Sequence, residues 1–276
     1  MLRKFLKIPL LVGVMTSPVV LAQEDAQEAP GASPRHNLSV GAYYSDGDYG
    51  QPIDTTIHYF PVAYDYTVSN WNLQVSVPHI RISGLGNVLV NVGGIGRNDL
   101  DGFAPTTPET LEASTSSGIG DTVLTATYQL PSFSPNAPFI DFAVEVKLPT
   151  ADENKGLGTG ETDYGVQLDL YQQAGTVTLF GTAGYKFRGR SDLFNEMTDS
   201  AYVSLGFVTP ITEALSYGLI YDFREPASES SMETHELLPF ISWIPAPHWT
   251  LMTYVAKGFT QDSADIAVGT QLSYRW

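Results

Sequence analysis

The chain has 276 residues, with 14 lysines and arginines against 30 aspartates and glutamates, and a formal net charge of −16. This charge argues against nucleic acid as a partner, since phosphate contacts need clustered basic residues. The absence of cysteine excludes disulfides, thiolate metal sites and cysteine nucleophiles. Only 16% of the residues are charged and 12% are aromatic, which favours a β-structure that faces a solvent other than water over an ordinary cytosolic enzyme.

The N-terminal segment has the features of an export signal. Its basic residues are Arg3, Lys4 and Lys7. An apolar run over residues 8–21 follows, and small residues precede Gln23. We therefore predict a signal peptide over residues 1–22 with cleavage before Gln23. An uncleaved N-terminal anchor is the alternative, although the apolar run is short for a spanning helix and contains Pro18.

Residues 23–35 are small and polar and predict a flexible periplasmic leader. From residue 36 to residue 276, no segment approaches the roughly 18 apolar residues of a membrane-spanning helix. Apolar and polar residues instead alternate with a period of two, which is typical of β-strands with two different faces. In residues 176–188, for example, Leu179 and Lys186 fall on opposite faces.

The alternating segments predict an all-β protein, a transmembrane antiparallel up-and-down β-barrel of about twelve strands. The predicted strands cover residues 37–45, 54–68, 71–82, 119–130, 139–148, 162–172, 176–188, 199–209, 215–225, 234–244, 249–259 and 265–276. Many of them reach the about 10 residues that a tilted membrane strand needs. Short turns alternate with longer polar loops, of which 83–118 is the longest, as in bacterial outer-membrane barrels with tight periplasmic turns and longer outside loops.

Large aromatic residues lie next to the predicted short turns. They are Tyr66, Trp71, Tyr128, Trp243, Trp249, Tyr274 and Trp276. Amphipathic rings prefer a membrane interface, so these residues predict an aromatic girdle at one side of the membrane. Trp276 is also expected to be read by the barrel-assembly machinery.

Nine charged side chains share the polar faces of four predicted strands. They are Asp141, Glu145, Lys147, Asp163, Asp169, Lys186, Arg188, Asp222 and Arg224. A charge facing lipid near the midplane costs about 2–4 kcal/mol, so we predict that these side chains line the lumen and pair across strands. A charged constriction along a pathway and a structural network that fills the lumen both fit this arrangement.

Several short segments resemble one family. They are Val75–Ile80, Gly118–Asp121, Tyr128–Leu130, Lys147–Asp152, Gly158–Gly160 and Asp163–Tyr164. In this order they resemble the outer-membrane transporters associated with the meta pathway of phenol degradation. His79 and Ala151 depart from that pattern, where the family usually has an aromatic residue and a glycine. The resemblance implies a β-barrel that passes small, hydrophobic or aromatic compounds, and it implies no catalytic residues.

We therefore expect a porin-like barrel in the outer membrane of a Gram-negative bacterium, without a cofactor, a metal or catalytic residues. Its expected partners are outer-membrane lipid, lipopolysaccharide and a small solute, and loop 83–118 is a candidate lid or plug. A structural or adhesive barrel with a sealed lumen is the alternative. A lipid hydrolase is a further one, because His58, His79 and His235 lie on predicted strands, although no Gly-x-Ser-x-Gly motif occurs.

Overall fold

The structure, a computed structural model, describes residues 34–49, 54–84, 114–134, 136–190, 197–229 and 231–276. The predicted signal peptide, the leader up to residue 33 and the central part of the long loop, residues 85–113, lie outside the described residues. No helix in the described part of the chain is long and apolar enough to cross a membrane.

Antiparallel strands make up nearly all of the described structure. They are β1 (Arg35–Gly47), β2 (Thr55–Val68), β3 (Trp71–Gly84), β4 (Ser114–Ile119), β5 (Thr122–Gln129), β6 (Phe139–Leu148), β7 (Asp163–Ala174), β8 (Val177–Phe187), β9 (Ser200–Pro210), β10 (Leu215–Arg224), β11 (Thr234–Ala246), β12 (Trp249–Gly258) and β13 (Ile266–Arg275). One short 3-10 helix, Glu153–Lys155, lies between β6 and β7.

Strand pairing closes the sheet into a barrel. From β5 to β13 each strand pairs with the next one along the chain, and β13 then pairs with β1. The strands β1, β2 and β3 pair in sequence, and β3 pairs with β5 to complete the circle. Each strand of the circle has a partner on both sides, and β4 is an additional partner of β3 that extends the wall beyond β5 on the same edge. The predicted closed barrel of twelve strands is thus confirmed, with one extra strand segment.

The extra segment corrects two predictions, the loop over 83–118 and the continuous strand over 119–130. Residues 114–119 form β4, opposite His79–Gly84 of β3, and β5 begins only at Thr122, opposite the first half of β3. The strand breaks at residues 120–121, next to Pro78, which has no N–H to donate to a ladder. Only the Gly120 N–H bonds to the Pro78 carbonyl oxygen there, at 2.9 Å.

The two faces of the wall differ in burial. On β7 the odd-numbered residues from Asp163 to Tyr171 are buried, whereas Tyr164, Leu168 and Leu170 between them are exposed. The same alternation runs along the other long strands, whose exposed residues are mostly leucine, valine and aromatic residues. An apolar outer surface around a closed barrel suits lipid, and a buried inner surface is the place for polar groups.

The residues of the predicted girdle gather at the short-turn end of the barrel. The rings of Trp71 and Tyr128 are 4.8 Å apart between centroids, and those of Trp249 and Tyr274 are also 4.8 Å apart. Trp276 stacks on His36 at 5.4 Å, and the two residues exchange backbone hydrogen bonds of 2.9 and 3.0 Å. Trp276 therefore helps to close the seam between β13 and β1.

Candidate functional site

The structure places all nine predicted charged residues on the inner side of the wall, along β6, β7, β8 and β10 and directly after β8. Eight of them are buried, and Glu145 is partly exposed, with 23% of its side chain accessible. They form several contacts rather than a single cluster, because they lie at different heights on neighbouring strands.

The first contact set surrounds Lys147. Its ammonium nitrogen lies 2.7 Å from Oδ2 of Asp163 and 3.4 Å from Oδ2 of Asp121, and it donates to Oγ1 of Thr159 at 3.0 Å. The other carboxylate oxygens accept backbone N–H groups, from Gly189 to Asp163 and from Ala151 to Asp121. A buried ammonium with two carboxylates and a hydroxyl is well compensated, so this set locks the wall at the loop end of the barrel.

These same residues carry most of the family-like sequence segments. Oγ1 of Thr150 accepts the Thr122 N–H at 2.8 Å and donates to the Gly120 carbonyl oxygen at 3.1 Å. Leu157 of the following loop is buried, and a Cβ at Gly158 would lie only 2.6 Å from Asp121. These contacts fasten the β6–β7 loop to the break between β4 and β5.

A second contact set lies on β9 and β10. Asp222 accepts a hydrogen bond from Ser204, and its Oδ2 accepts one from Nε of Arg224 at 3.0 Å. The guanidinium of Arg224 also lies 5.3 Å from the ring centroid of Tyr202, at cation–π distance. The hydroxyl of Tyr202 donates to Oε1 of Gln167 at 2.7 Å, which links this set to β7.

The remaining predicted residues contact neighbouring strands in the part of the wall between these two sets. Lys186 lies 3.8 Å from Oε1 of Glu145, and Arg188 donates to Oγ of Ser200 at 2.6 Å and to the Thr198 carbonyl oxygen at 2.9 Å. Asp169 accepts hydrogen bonds from Gln167 and Thr182, at 2.8 and 2.5 Å.

Strand register places polar inner residues in one continuous row, which we call the acidic row. Its members are direct cross-strand partners on seven successive strands, Gln129, Asp141, Asp169, Thr182, Ser204, Asp222 and Glu236. Four of the seven are carboxylates. Among all buried charged side chains of the described residues, seven are acidic and four are basic, so the inner wall is net negative.

A second continuous row is apolar, and we call it the aromatic row. Its members are direct partners from β9 through the seam to β3, namely Val208, Gly218, Phe240, Tyr254, Gly269, Tyr43, Tyr59 and Ile80. All of its side chains are buried. The rings lie over the glycines, because a Cβ at Gly269 would be 2.2 Å from the Tyr254 ring and one at Gly218 would be 2.3 Å from Phe240.

Sequence reasoning missed Asp121, Glu236 and most of the aromatic row. Asp121 belongs to a predicted strand whose start was misplaced by the break at residue 120. Glu236 lies on β11, where Leu237 and Leu238 make both faces apolar, so the alternation does not reveal which face is inside. The signal that could have placed Glu236 inside is that it shares the even-numbered face of β11 with Thr234 and Ser242.

A closed barrel with an apolar outer belt, an aromatic girdle and a polar inner surface defines an outer-membrane β-barrel. Residues 65–276 match the family described as "Putative MetA-pathway of phenol degradation", and the chain belongs to this family. No curated protein matches the sequence.

Solved structures share the fold at low sequence identity. The COG4313 outer membrane channel from Pseudomonas putida F1 matches with a TM-score of 0.62 and 13% identity, over 91% of this chain and 98% of that chain. The KdgM porin matches with a TM-score of 0.53 and 10% identity, over 86% and 98%. The NanC porin matches with a TM-score of 0.52 and 8% identity, over 86% and 97%. The protein thus shares the barrel fold of these outer-membrane channels and porins.

Proposed function

We propose that the barrel lets small solutes with an apolar or aromatic part diffuse across the outer membrane, without catalysis and without a cofactor. The aromatic row is the observation that carries this proposal. Water-filled porins have a polar interior, whereas here a continuous apolar row with three tyrosines and a phenylalanine lies on the inner wall. An apolar solute would gain contact area on that row and would find polar partners on the acidic row.

The expected solutes are small. A barrel of twelve strands lies between eight-stranded barrels, whose interior is filled by side chains, and porins of sixteen or more strands with an open aqueous channel. Inner residues on β7, such as Asp163 and Asp169, are almost inaccessible to solvent. A solute would therefore move through a narrow space and contact both rows.

Uptake into liposomes tests the proposal. The purified protein is reconstituted, and the entry of a monoaromatic alcohol, an aromatic acid and a monosaccharide of similar size is compared with entry into protein-free liposomes. We expect the aromatic alcohol to enter fastest. The variant Tyr254→Leu should reduce its advantage over the sugar, whereas Tyr164→Leu, on the outer surface, should not. Equal rates with and without protein would contradict the proposal.

A sealed barrel with a structural or adhesive role is the second candidate. The near-complete burial of Lys147, Asp163 and Asp169 favours it, since such a network also fills and stiffens a lumen. Conductance in planar bilayers separates the two candidates. A sealed barrel gives no current above the lipid baseline, although it still unfolds cooperatively in detergent.

Among the described residues, the outer wall carries one serine–histidine pair, which bears on the lipid hydrolase alternative. Oγ of Ser117 lies 3.4 Å from Nε2 of His79, and both side chains are exposed. In nucleophilic sites a third group orients the histidine, and within the described residues Nδ1 of His79 has no hydrogen-bond partner. We therefore propose that this pair is not catalytic. Covalent labelling of Ser117 by a serine-directed phosphonate would contradict that assignment.

Membrane lipid, lipopolysaccharide and the barrel-assembly machinery remain the proposed partners, the last through Trp276. Deleting Trp276 removes its stacking on His36 and two backbone hydrogen bonds at the seam. We expect slower assembly with normal export, seen as loss of the heat-modifiable band on gels. Trp276→Phe keeps the backbone pairing and an aromatic ring and should assemble normally.

A further inference from the structure

Five buried polar oxygens without a partner at full hydrogen-bond geometry lie on one part of the inner wall. They are Oδ1 of Asn72, Oγ1 of Thr125, Oγ1 of Thr127 and both carboxylate oxygens of Asp141, and none of these atoms has such a partner among the described residues. The four side chains are 4%, 5%, 1% and 0% exposed. Because an unpartnered buried polar group is costly, several of them on adjacent strands indicate a surface that receives a ligand.

Strand register shows how near these residues are to one another. Asn72 on β3 is directly opposite Thr127 on β5, and Gln129, two residues further along β5, is opposite Asp141 on β6. Thr127 and Asp141 are therefore diagonal neighbours. Opposite residues have Cβ atoms about 5 Å apart and diagonal ones at most about 7–8 Å apart, so the oxygens can converge on one small ligand at the short-turn end of the barrel.

This surface carries two neighbouring acidic side chains. Asp169 is the cross-strand partner of Asp141 on β7, and opposite like charges repel. The oxygens of Asp169 accept hydrogen bonds from Gln167 and Thr182. Neither oxygen of Asp141 has a partner at full hydrogen-bond geometry among the described residues, and the side chain of Gln129 opposite it is the donor that interacts with it. The carboxyl group of Asp141 is thus available to a ligand.

We propose that Asp141, Thr127 and Asn72 bind a compact monovalent cation, either an alkali-metal ion or the primary ammonium group of a solute. A primary ammonium has three N–H donors and no acceptor. It therefore suits a group of oxygen atoms that have no donor at full hydrogen-bond geometry. One available carboxylate matches a single positive charge, and the described residues contain no group of three acidic or histidine side chains placed to hold a metal ion. Gln129, half-buried beside Asp141, is the side chain that would move to admit the cation.

The importance of this site for transport rests on the proposed channel function, but binding itself does not. Thermal unfolding of the full protein in detergent measures binding without any passage of solute. The protein is titrated with methylammonium, potassium or tetramethylammonium chloride at constant ionic strength. We expect methylammonium or potassium to raise Tm by about 3–5 °C at ten times Kd, and tetramethylammonium, which is bulky and has no N–H donor, to leave it unchanged. A larger Tm shift with potassium identifies an alkali-metal ion as the ligand, and a larger shift with methylammonium identifies a primary ammonium group.

Two variants locate the effect. Asp141→Asn should abolish the shift, whereas the matched control Asp222→Asn on β10 should keep it, because both oxygens of Asp222 already accept hydrogen bonds, from Ser204 and Arg224. If Asp141→Asn does not fold, Thr127→Val should reduce the shift. The proposal is overturned if the wild-type protein shows no cation-specific shift, or if the folded variant keeps it in full. If the shift is present but bilayers show no current, the site stands and only the channel function fails.

Discussion

The two rows of the inner wall stabilise the barrel through different interactions, hydrogen bonds in one and close packing in the other. The acidic row, from β5 to β11, is held by directional contacts, such as the hydrogen bond from Thr182 to Asp169 at 2.5 Å. The aromatic row, from β9 through the seam to β3, is held by the close packing of rings on glycines, as with Tyr254 over Gly269. The two rows overlap on β9 to β11, where they lie four residues apart, or about 13 Å along a strand.

Because the interactions differ, substitutions at different places on the inner wall should lower stability by different amounts. A buried ion pair leaves an uncompensated charge when one member is removed, which is the most costly change available to the inner wall. Replacing a glycine under an aromatic ring causes steric overlap with that ring, and neighbouring side chains can shift to relieve part of the overlap. Substitutions in the two rows should therefore differ in size as well as in mechanism.

The largest effect is expected at Lys147. Lys147→Met would leave the carboxylates of Asp121 and Asp163 buried without their cation and should lower the free energy of unfolding by about 3–5 kcal/mol. Urea unfolding in detergent measures the loss. Lys155→Met removes an exposed ion pair with Asp152 and should change stability by less than about 1 kcal/mol. Similar losses in both variants would show that burial does not strengthen the contact.

Within the aromatic row, Gly269→Ala places a Cβ against the Tyr254 ring and should cost about 1–3 kcal/mol. Gly165→Ala is the matched control, since its nearest atom, Cβ of Glu145, would lie 3.3 Å away and can shift slightly. The same unfolding measurement applies. An equal and small effect at both glycines would mean that the ring is free to move off the glycine.

The double variant Lys186→Gln and Arg188→Gln tests whether the polar wall faces a pathway. It removes two of the four basic side chains that are buried in the described part of the chain and should lower the free energy of unfolding by about 1–2 kcal/mol. In an open lumen the more acidic wall should also raise the permeability ratio of cations to anions, as measured by reversal potentials. A lower Tm without current in either protein would favour the sealed barrel.

The smallest effect is expected where Tyr202 on β9 reaches across to β7. Tyr202→Phe loses the 2.7 Å hydrogen bond to Gln167 and should cost about 1 kcal/mol. Tyr164→Phe, on the outer surface, should have no measurable effect. If the two variants are equally stable, the Tyr202 hydroxyl is not a structural link between the strands.

Sequence reasoning succeeded where the two faces of a strand differ in polarity. The strand over 139–148 was predicted with the same bounds as β6, because Asp141, Glu145 and Lys147 alternate with apolar residues. It did not find β4, whose residues are serine, threonine and glycine apart from Ile119 and whose pairing with β3 depends on contacts distant in sequence. Nor did it find the break at residue 120, which depends on Pro78 of the neighbouring strand.

By itself the sequence determined that this protein is a membrane β-barrel with about twelve strands, a turn-side girdle and a set of charges on one face, because period-two alternation is a local property of each strand. Only the tertiary structure decided which charges meet, as at Lys147 with Asp121 and Asp163, and which residues form the two rows. The physical reason is register: pairing across seven or eight strands sets which inner residues become neighbours, and no single strand contains that information.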